Sequence, residues 1–98
     1  MEVIFLQTAR KDIRNAYEWY ENKQYGLGNK FIREVILHSQ KLKRESIEYR
    51  KYISDIQCLQ LQKFPFSVYF FKEGFDKILI IGVLHNRQNI LKILRDRK

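Results

Sequence analysis

The sequence predicts a single α+β domain over residues 1–98, with the element order β-α-α-β-β-β and a helical hairpin packed on one face of a mainly antiparallel sheet. A length of 98 residues suits one hydrophobic core, and 45% of the residues are hydrophobic. Apolar residues recur at helical spacing in the first half and at strand spacing in the second. Because no repeat, linker or low-complexity segment interrupts this pattern, the predicted architecture is an α+β sandwich.

The first strand and the first helix follow each other directly. Residues Glu2–Leu6 are mostly β-branched or aromatic, as strands prefer. Gln7 and Thr8 come next, where a side-chain oxygen can accept hydrogen bonds from the free N–H groups of a helix start, so we predict the helix N-cap here. The residues that carry the helical spacing are Ala9, Ile13, Ala16, Tyr17 and Tyr20.

A second helix is predicted to pack against the first. Gly26 and Gly28 interrupt the first helical pattern and permit the left-handed backbone conformations that end helices. Helical spacing then resumes and continues to about Arg44, so the two helices should form an antiparallel hairpin. The predicted core combines Phe31, Val35 and Leu42 of the second helix with Ile13 and Tyr17 of the first and with Ile80 and Val83 of the sheet.

The second half of the chain has the pattern of strands and turns. Leu59–Gln62 alternates apolar and polar residues, and Pro65 interrupts this strand because proline has no N–H to donate. Lys77–Leu84 is apolar on both faces, which predicts the central strand. The remaining predicted elements are a strand at Phe66–Lys72, a hairpin turn at Glu73–Asp76 and a short terminal helix within Asn86–Lys98.

The charge of the chain is strongly positive. Lys and Arg outnumber Asp and Glu by 19 to 11, for a net charge of +8, and the hydrophobic content excludes a disordered basic tail. Residues 1–49 carry 9 basic and 7 acidic side chains, whereas residues 50–98 carry 10 and 4, so the positive field belongs to the second half. A basic folded domain attracts polyanions, which include nucleic acid, acidic proteins and anionic membranes.

Cysteine and histidine usage excludes several kinds of site. Cys58 is the single cysteine, so no internal disulfide forms, and with His38 and His85 it makes no zinc set. No phosphate-binding glycine motif is present, and we expect neither a metal nor a cofactor.

The first apolar run is short and contains Glu2, unlike a signal peptide, and no run of about 20 apolar residues could span a membrane. We therefore expect a cytoplasmic protein.

The candidate site lies at the end of the longest apolar strand. His85 and Arg87 follow that strand directly, and Lys63 and Tyr69 are expected to reach the same face from neighbouring strands. Such residues suit RNA chemistry, since Arg and Lys stabilise charge on phosphate, His or Tyr moves a proton and an aromatic ring stacks a base. The alternative is structural, with His85 and Arg87 bonded to backbone at a strand end and Lys63 solvated.

A family resemblance rests on the order and spacing of several motifs. A Phe-Pro-aromatic step at Phe64–Phe66 precedes an apolar strand that ends in His85-Asn86-Arg87. The opening strand, the helix through Thr8–Tyr20 and the second helix lie ahead of it. In this arrangement, nearly the whole chain resembles the RelE/ParE toxin superfamily of bacterial type II toxin–antitoxin modules. The resemblance implies the α+β fold and the toxin component of such a module, with a role in growth inhibition and plasmid stabilisation.

The resemblance leaves three functions open. In the RelE branch, which cuts messenger RNA on the ribosome, an arginine precedes the Phe-Pro step and a tyrosine or histidine near the C-terminus completes the site. This chain has Gln57 and Cys58 at the strand position, and no tyrosine follows Tyr69. The departures favour the ParE branch, whose members bind DNA gyrase without an RNase site. The third alternative is a non-toxic scaffold that binds only the antitoxin.

The partners are implied by the same resemblance. An acidic cognate antitoxin, folding as it binds, would neutralise the chain, and the +8 charge independently favours an acidic partner. The target would be gyrase or, in the alternative, the ribosome and its messenger RNA. Operator DNA would be bound only through the antitoxin, no membrane would be involved, and self-association stays open.

Overall fold

The computed structural model describes residues 1–44 and 49–98. It confirms the α+β class, with both predicted helices of the hairpin and a terminal helix. The elements are β1 (Glu2–Phe5), α1 (Gln7–Lys23), α2 (Leu27–Gln40) with a 3₁₀ turn at Lys41–Lys43, β2 (Arg50–Ile53), β3 (Ile56–Gln60), β4 (Phe66–Glu73), β5 (Lys77–His85) and α3 (Ile90–Arg97).

The strands form one mixed sheet in the order β1-β5-β4-β3-β2. β1 pairs with β5 in parallel, and the other neighbours are antiparallel. Three expectations are corrected: Arg50–Ile53 is an additional strand, the strand expected at Leu59–Gln62 is Ile56–Gln60, and the middle position belongs to β4. β5, expected at the centre, lies between β1 and β4 and is interior all the same.

Helices cover both faces of the sheet, and each face has its own hydrophobic core. The hairpin of α1 and α2 packs on one face, where Val68 of β4 is fully buried. The terminal helix α3 packs on the other, where Leu94 and Tyr69 belong to the same core. The expectation of helices on one face therefore holds for the hairpin, and α3 adds a third layer.

A β-bulge in β5 changes which of its side chains face each core. Tyr69 pairs with Gly82 but Phe70 pairs with Ile80, so Ile81 is the extra residue on β5. The bulge shifts the alternation of side chains by one position. As a result Ile80 and Val83 join the core under the hairpin, and Ile81 and Leu84 join the core under α3.

The hairpin turn is held by one carboxylate and one close contact. Glu21 accepts hydrogen bonds from the backbone N–H of Gly26 and of Gly28, both at 2.9 Å. Of the two glycines, Gly26 alone has the expected left-handed backbone, with φ of 86°. Gly28 serves a different purpose, because a Cβ there would lie 2.6 Å from Tyr17 Cδ1. Tyr17 thus packs on the turn, and Tyr20 packs against the core beneath the hairpin.

Beyond the end of β1, side chains of α1 and α3 form hydrogen bonds with the backbone of β5. Thr8 is not the helix N-cap, which is Leu6; its hydroxyl instead donates to the Ile81 carbonyl at 2.7 Å. Asp12 accepts from the Val83 N–H at 3.0 Å and pairs with both terminal nitrogens of Arg97, at 2.6 and 2.9 Å. The Arg97 guanidinium also donates to the Ile81 carbonyl at 3.2 Å. This polar cluster ties α1, β5 and α3 together.

Within residues 1–44 and 49–98, no helix is both long enough and apolar enough to cross a membrane.

Candidate functional site

The candidate site is organised around the connection between β3 and β4. Its conformation is fixed by Glu34 of α2, whose Oε1 accepts from the backbone N–H of Gln62 at 3.3 Å and of Lys63 at 3.2 Å. At the end of the connection, the Pro65 carbonyl accepts from the Asn86 N–H at 2.9 Å. Hydrogen bonds to α2 and to the residue that follows β5 therefore hold this segment in one geometry.

Two open grooves flank the connection. The first, which we name the basic groove, has a volume of about 550 Å³ and is lined by Leu27, Lys30, Arg33, Glu34, Leu37, Lys63 and Phe64. The second, which we name the aromatic groove, has a volume of about 460 Å³ and is lined by Ala16, Trp19, Tyr20, Pro65, Phe66 and His85. The rings of Phe64 and Tyr20 pack edge to face with centroids 4.9 Å apart, so they form a wall between the grooves.

The aromatic groove has an exposed outer wall and a buried floor. Trp19 is 58% exposed, whereas Ala16 and Phe66 are buried. The Trp19 ring packs edge to face on Tyr20 at 5.2 Å, and the Lys23 ammonium lies 4.8 Å from its centroid. Burial raises the pKa of the Tyr20 hydroxyl above its ordinary value. The groove is suited to an apolar or aromatic group of a partner.

His85 lies at the rim of the aromatic groove with its ring orientation fixed. Its Nδ1 accepts from the Arg87 backbone N–H at 3.0 Å, so in the neutral ring the proton sits on Nε2. Its own backbone N–H donates to Gln88 Oε1 at 2.7 Å, and its ring contacts Phe66 at 5.2 Å. The predicted alternative of a backbone hydrogen bond at the strand end is therefore realised for His85, while its Nε2–H remains a donor for a ligand.

The four candidate residues do not converge. His85 belongs to the aromatic groove and Lys63 to the basic groove, and Arg87 is exposed on the turn that follows β5. Tyr69 is 3% exposed and lies in the core under α3, on the face opposite the hairpin. The expectation that Tyr69 and Lys63 reach the same face is corrected. Tyr69 lies on the other face because side chains alternate along β4: Phe66 and Val68 point to the hairpin, and Tyr69 points away.

Tyr69 is a neutral core residue. Burial raises the pKa of its hydroxyl well above the ordinary value, and the neighbouring Cys58 raises it further. Cys58 is itself buried in the same core, and Tyr52 packs edge to face on the Tyr69 ring at 5.4 Å. A phenol held neutral inside a core does not exchange protons with a bound substrate at neutral pH.

The raised pKa of Tyr69 predicts a loss of stability in alkali. The folded chain keeps the hydroxyl neutral, while the unfolded chain ionises it from about pH 10. Its contribution is therefore complete below pH 10 and is lost as the pH rises through the raised pKa. We expect Tyr69→Phe to lose less free energy of unfolding than the wild type between pH 8 and pH 11, measured by urea denaturation.

The matched control for this experiment is Tyr25→Phe, because Tyr25 is 94% exposed. It should leave the wild-type difference between the two pH values unchanged. If Tyr69→Phe and the wild type lose the same unfolding free energy between pH 8 and pH 11, the raised pKa assigned to Tyr69 is wrong.

Glu34 is the functional-site residue that the sequence analysis missed. It is 6% exposed and lies on the apolar side of α2 between Phe31 and His38. His38 Nδ1 lies 3.0 Å from the Glu34 carbonyl, and within the described residues His38 Nε2 and Ser39 Oγ are buried without a partner. A carboxylate on an apolar helix face was the available signal, because buried acids are usually bonded to N–H groups.

The site offers no metal-binding arrangement in the part of the chain that the structure describes. There, no group of three or more His, Cys, Asp or Glu side chains is placed to hold a metal ion. The polar side chains that line the two grooves include the cations Lys30, Arg33 and Lys63, the carboxyl group of Glu34, the hydroxyl of Tyr20 and the imidazole of His85.

Comparison with known proteins identifies the fold. No protein-family model and no curated protein sequence matches the chain. Among solved structures, it is similar to a chain of the chromosomal ParDE toxin–antitoxin system from P. aeruginosa, with a TM-score of 0.77 and 18% sequence identity over 87% of this chain and 95% of that chain. The chain shares its fold with this ParDE component. The ParDE fold confirms the architecture that the family resemblance implied.

Most side chains differ between the two proteins that share the ParDE fold. At 18% identity the common feature is the path of the backbone. The composition of the basic and aromatic grooves is therefore described from this chain alone. The ParDE fold supplies the scaffold, and the residues of the β3–β4 connection supply the surface chemistry.

Proposed function

We propose that the chain is the toxin component of a toxin–antitoxin module, inhibits growth and is neutralised by an acidic cognate antitoxin. The observation that carries the proposal is the fold shared with the ParDE component, which extends over 95% of that chain. The net charge of +8 supports an acidic partner for it. The basic groove, which combines cations with exposed leucine, supports a protein partner in particular.

For the cellular target we favour binding of a protein such as DNA gyrase. Acid–base catalysis on RNA needs a proton-transferring group and a cation within hydrogen-bond reach of one substrate. The candidate residues lie in two grooves, on an exposed turn and in a core on the other face. This separation favours a toxin that acts by contact, with the aromatic groove as the surface that engages the target.

A second candidate function is cleavage of messenger RNA on the ribosome. It is supported by His85, whose Nε2–H has no hydrogen-bond acceptor among the described residues, and by the exposed Arg87 two residues further on. These two residues alone would then have to move the proton and stabilise the phosphate charge.

Expression of the chain in a bacterial host with SOS and translation reporters distinguishes the two functions. We expect growth arrest with SOS induction and intact messenger RNA, because contact with gyrase damages DNA without RNA cleavage. His85→Ala and Arg87→Ala should weaken the arrest only modestly. In an RNase, each would lower the cleavage rate by about 10²-fold or more.

The control is Lys92→Ala, which removes an exposed cation on α3 outside both grooves. Cleavage of messenger RNA that is lost in Arg87→Ala and kept in Lys92→Ala would move the assignment to the ribonuclease. Absence of growth arrest at full expression would reject both toxin functions.

A further inference from the structure

The basic groove carries positive charge that the described residues do not neutralise. Lys30, Arg33 and Lys63 line it, and none of the three forms an ion pair with a residue in the described parts of the chain. Glu34 also lines the groove, but it is buried and its Oε1 accepts two backbone N–H groups. The groove therefore presents two cations and two leucines on α2, and a third cation, Lys63, on the β3–β4 connection.

The two leucines of the groove lie on the same face of α2 as Lys30 and Arg33. Leu27, Lys30 and Leu37 follow each other along α2 at helical spacing, and Leu37 is 56% exposed. Phe64 closes the opposite side, its ring held edge to face against Phe31 at 5.2 Å. An occupant must thus offer apolar side chains on one side and negative charge beside them.

We propose that the basic groove binds an acidic amphipathic segment of the antitoxin, with an aliphatic anchor against Leu37 and carboxylates beside Lys30 and Arg33. The inference rests on the proposed function and names the surface that the partner uses. Charge complementarity supports it, because three cations that form no ion pair with the described residues attract carboxylates and raise the association rate. Exposed leucine beside them favours a helix or strand with apolar anchors at regular spacing.

Nucleic acid fits this groove less well than an acidic protein segment. Phosphates would pair with the cations, but unstacked bases need open aromatic faces. Phe64 is the aromatic residue here, and its ring is engaged by Phe31 and Tyr20. The two leucines offer neither a charge for a phosphate nor an aromatic face on which a base could stack.

The binding test uses the purified protein product of the adjacent gene as the probe. We expect Lys30→Glu combined with Arg33→Glu to raise its Kd at least about tenfold in about 0.1 M salt, and to flatten the salt dependence. Lys11→Glu combined with Arg14→Glu makes the same charge change on exposed positions of α1 and should raise the Kd less than about threefold. Equal effects of the two double variants would overturn the inference.

A cross-linking test leaves the charges of the groove untouched. Leu37 and, as the matched control, Leu91 on α3 are replaced one at a time by p-benzoylphenylalanine; both are exposed, at 56% and 43%. We expect ultraviolet light to cross-link the adjacent-gene protein at position 37 and not at position 91. Failure at position 37 in a complex that forms normally would overturn the inference even if the charge variants fold poorly.

The outcomes separate the inference from the proposed function. If the adjacent-gene protein binds and relieves growth arrest but neither test involves the groove, the partner docks elsewhere and the toxin function stands. If the chain neither arrests growth nor binds that protein, the proposed function fails and the inference fails with it. If a 20-nucleotide single-stranded RNA loses binding in the Lys30 and Arg33 variant while the adjacent-gene protein does not, the groove is a nucleic-acid site and the inference is wrong.

Discussion

Replacing Phe31 with alanine is expected to lower the free energy of unfolding by about 3–5 kcal/mol. Phe31 is 0% exposed, and its ring contacts Phe66 at 4.9 Å, Phe64 at 5.2 Å and Tyr20 at 5.5 Å between centroids. The truncation leaves a cavity at the meeting point of α2, β4 and the wall between the two grooves. Since small domains are stable by about 5–15 kcal/mol, this change could unfold the chain.

Urea denaturation followed by circular dichroism measures this effect. The matched control is Phe75→Ala, because Phe75 is 98% exposed at the tip of the β4–β5 hairpin. Its effect should stay within about 0.5 kcal/mol. A loss below about 1 kcal/mol in Phe31→Ala would show that the helix phase described for α2 is wrong.

Replacing Asp12 with alanine is expected to cost about 3 kcal/mol of unfolding free energy. Asp12 and Arg97 are only 12% and 18% exposed, so removal of the carboxylate leaves a poorly solvated guanidinium and an unsatisfied Val83 N–H. Alanine is an excellent helix former, so the loss reports the missing contacts and not the helix propensity of α1. The same denaturation measurement applies.

A double-mutant cycle measures the interaction energy between Asp12 and Arg97. Asp12→Ala and Arg97→Ala should couple by about 1 kcal/mol or more, because each variant already removes the interaction that the other would break. Asp96→Ala is the control, since it removes an exposed carboxylate next to Arg97 on the same helix. Additive effects of Asp12→Ala and Arg97→Ala would contradict the role assigned to this ion pair.

The elements with strong local signals were predictable from the sequence. The helical spacing of Phe31 and Val35 correctly placed both in the core, and Ile80 and Val83 joined them as expected. Strand β2 was missed because three of its four residues are exposed and two, Arg50 and Lys51, are charged, which gives little alternation. Its turn contains Ser54 with φ of 54°, a conformation for which glycine or asparagine is the usual signal.

The parts that could not be predicted depend on contacts between distant residues. Thr8 has the right residue type for a local cap, yet its hydroxyl bonds to a carbonyl 73 residues away. Asp12 and Arg97 are 85 residues apart, and neither has a local partner that would mark it. Alternation along β4 puts Tyr69 on the face opposite Phe66, but that His85 shares the face of Phe66 depends on the pairing of β4 with β5.

The bulge at Ile81 adds a side chain to the core under α3 without moving the residues that follow it to the other face. Ile80 and Val83 are three positions apart, so a regular strand would place them on opposite faces, and the bulge between them keeps Val83 and His85 on the hairpin side. Deletion of Ile81 would leave Phe70 paired with Ile80 and Tyr69 with Gly82 in a regular ladder, so the imidazole would stay at the aromatic groove. What the deletion would remove is the Ile81 side chain from the core under α3 and the carbonyl that accepts from Thr8 and Arg97.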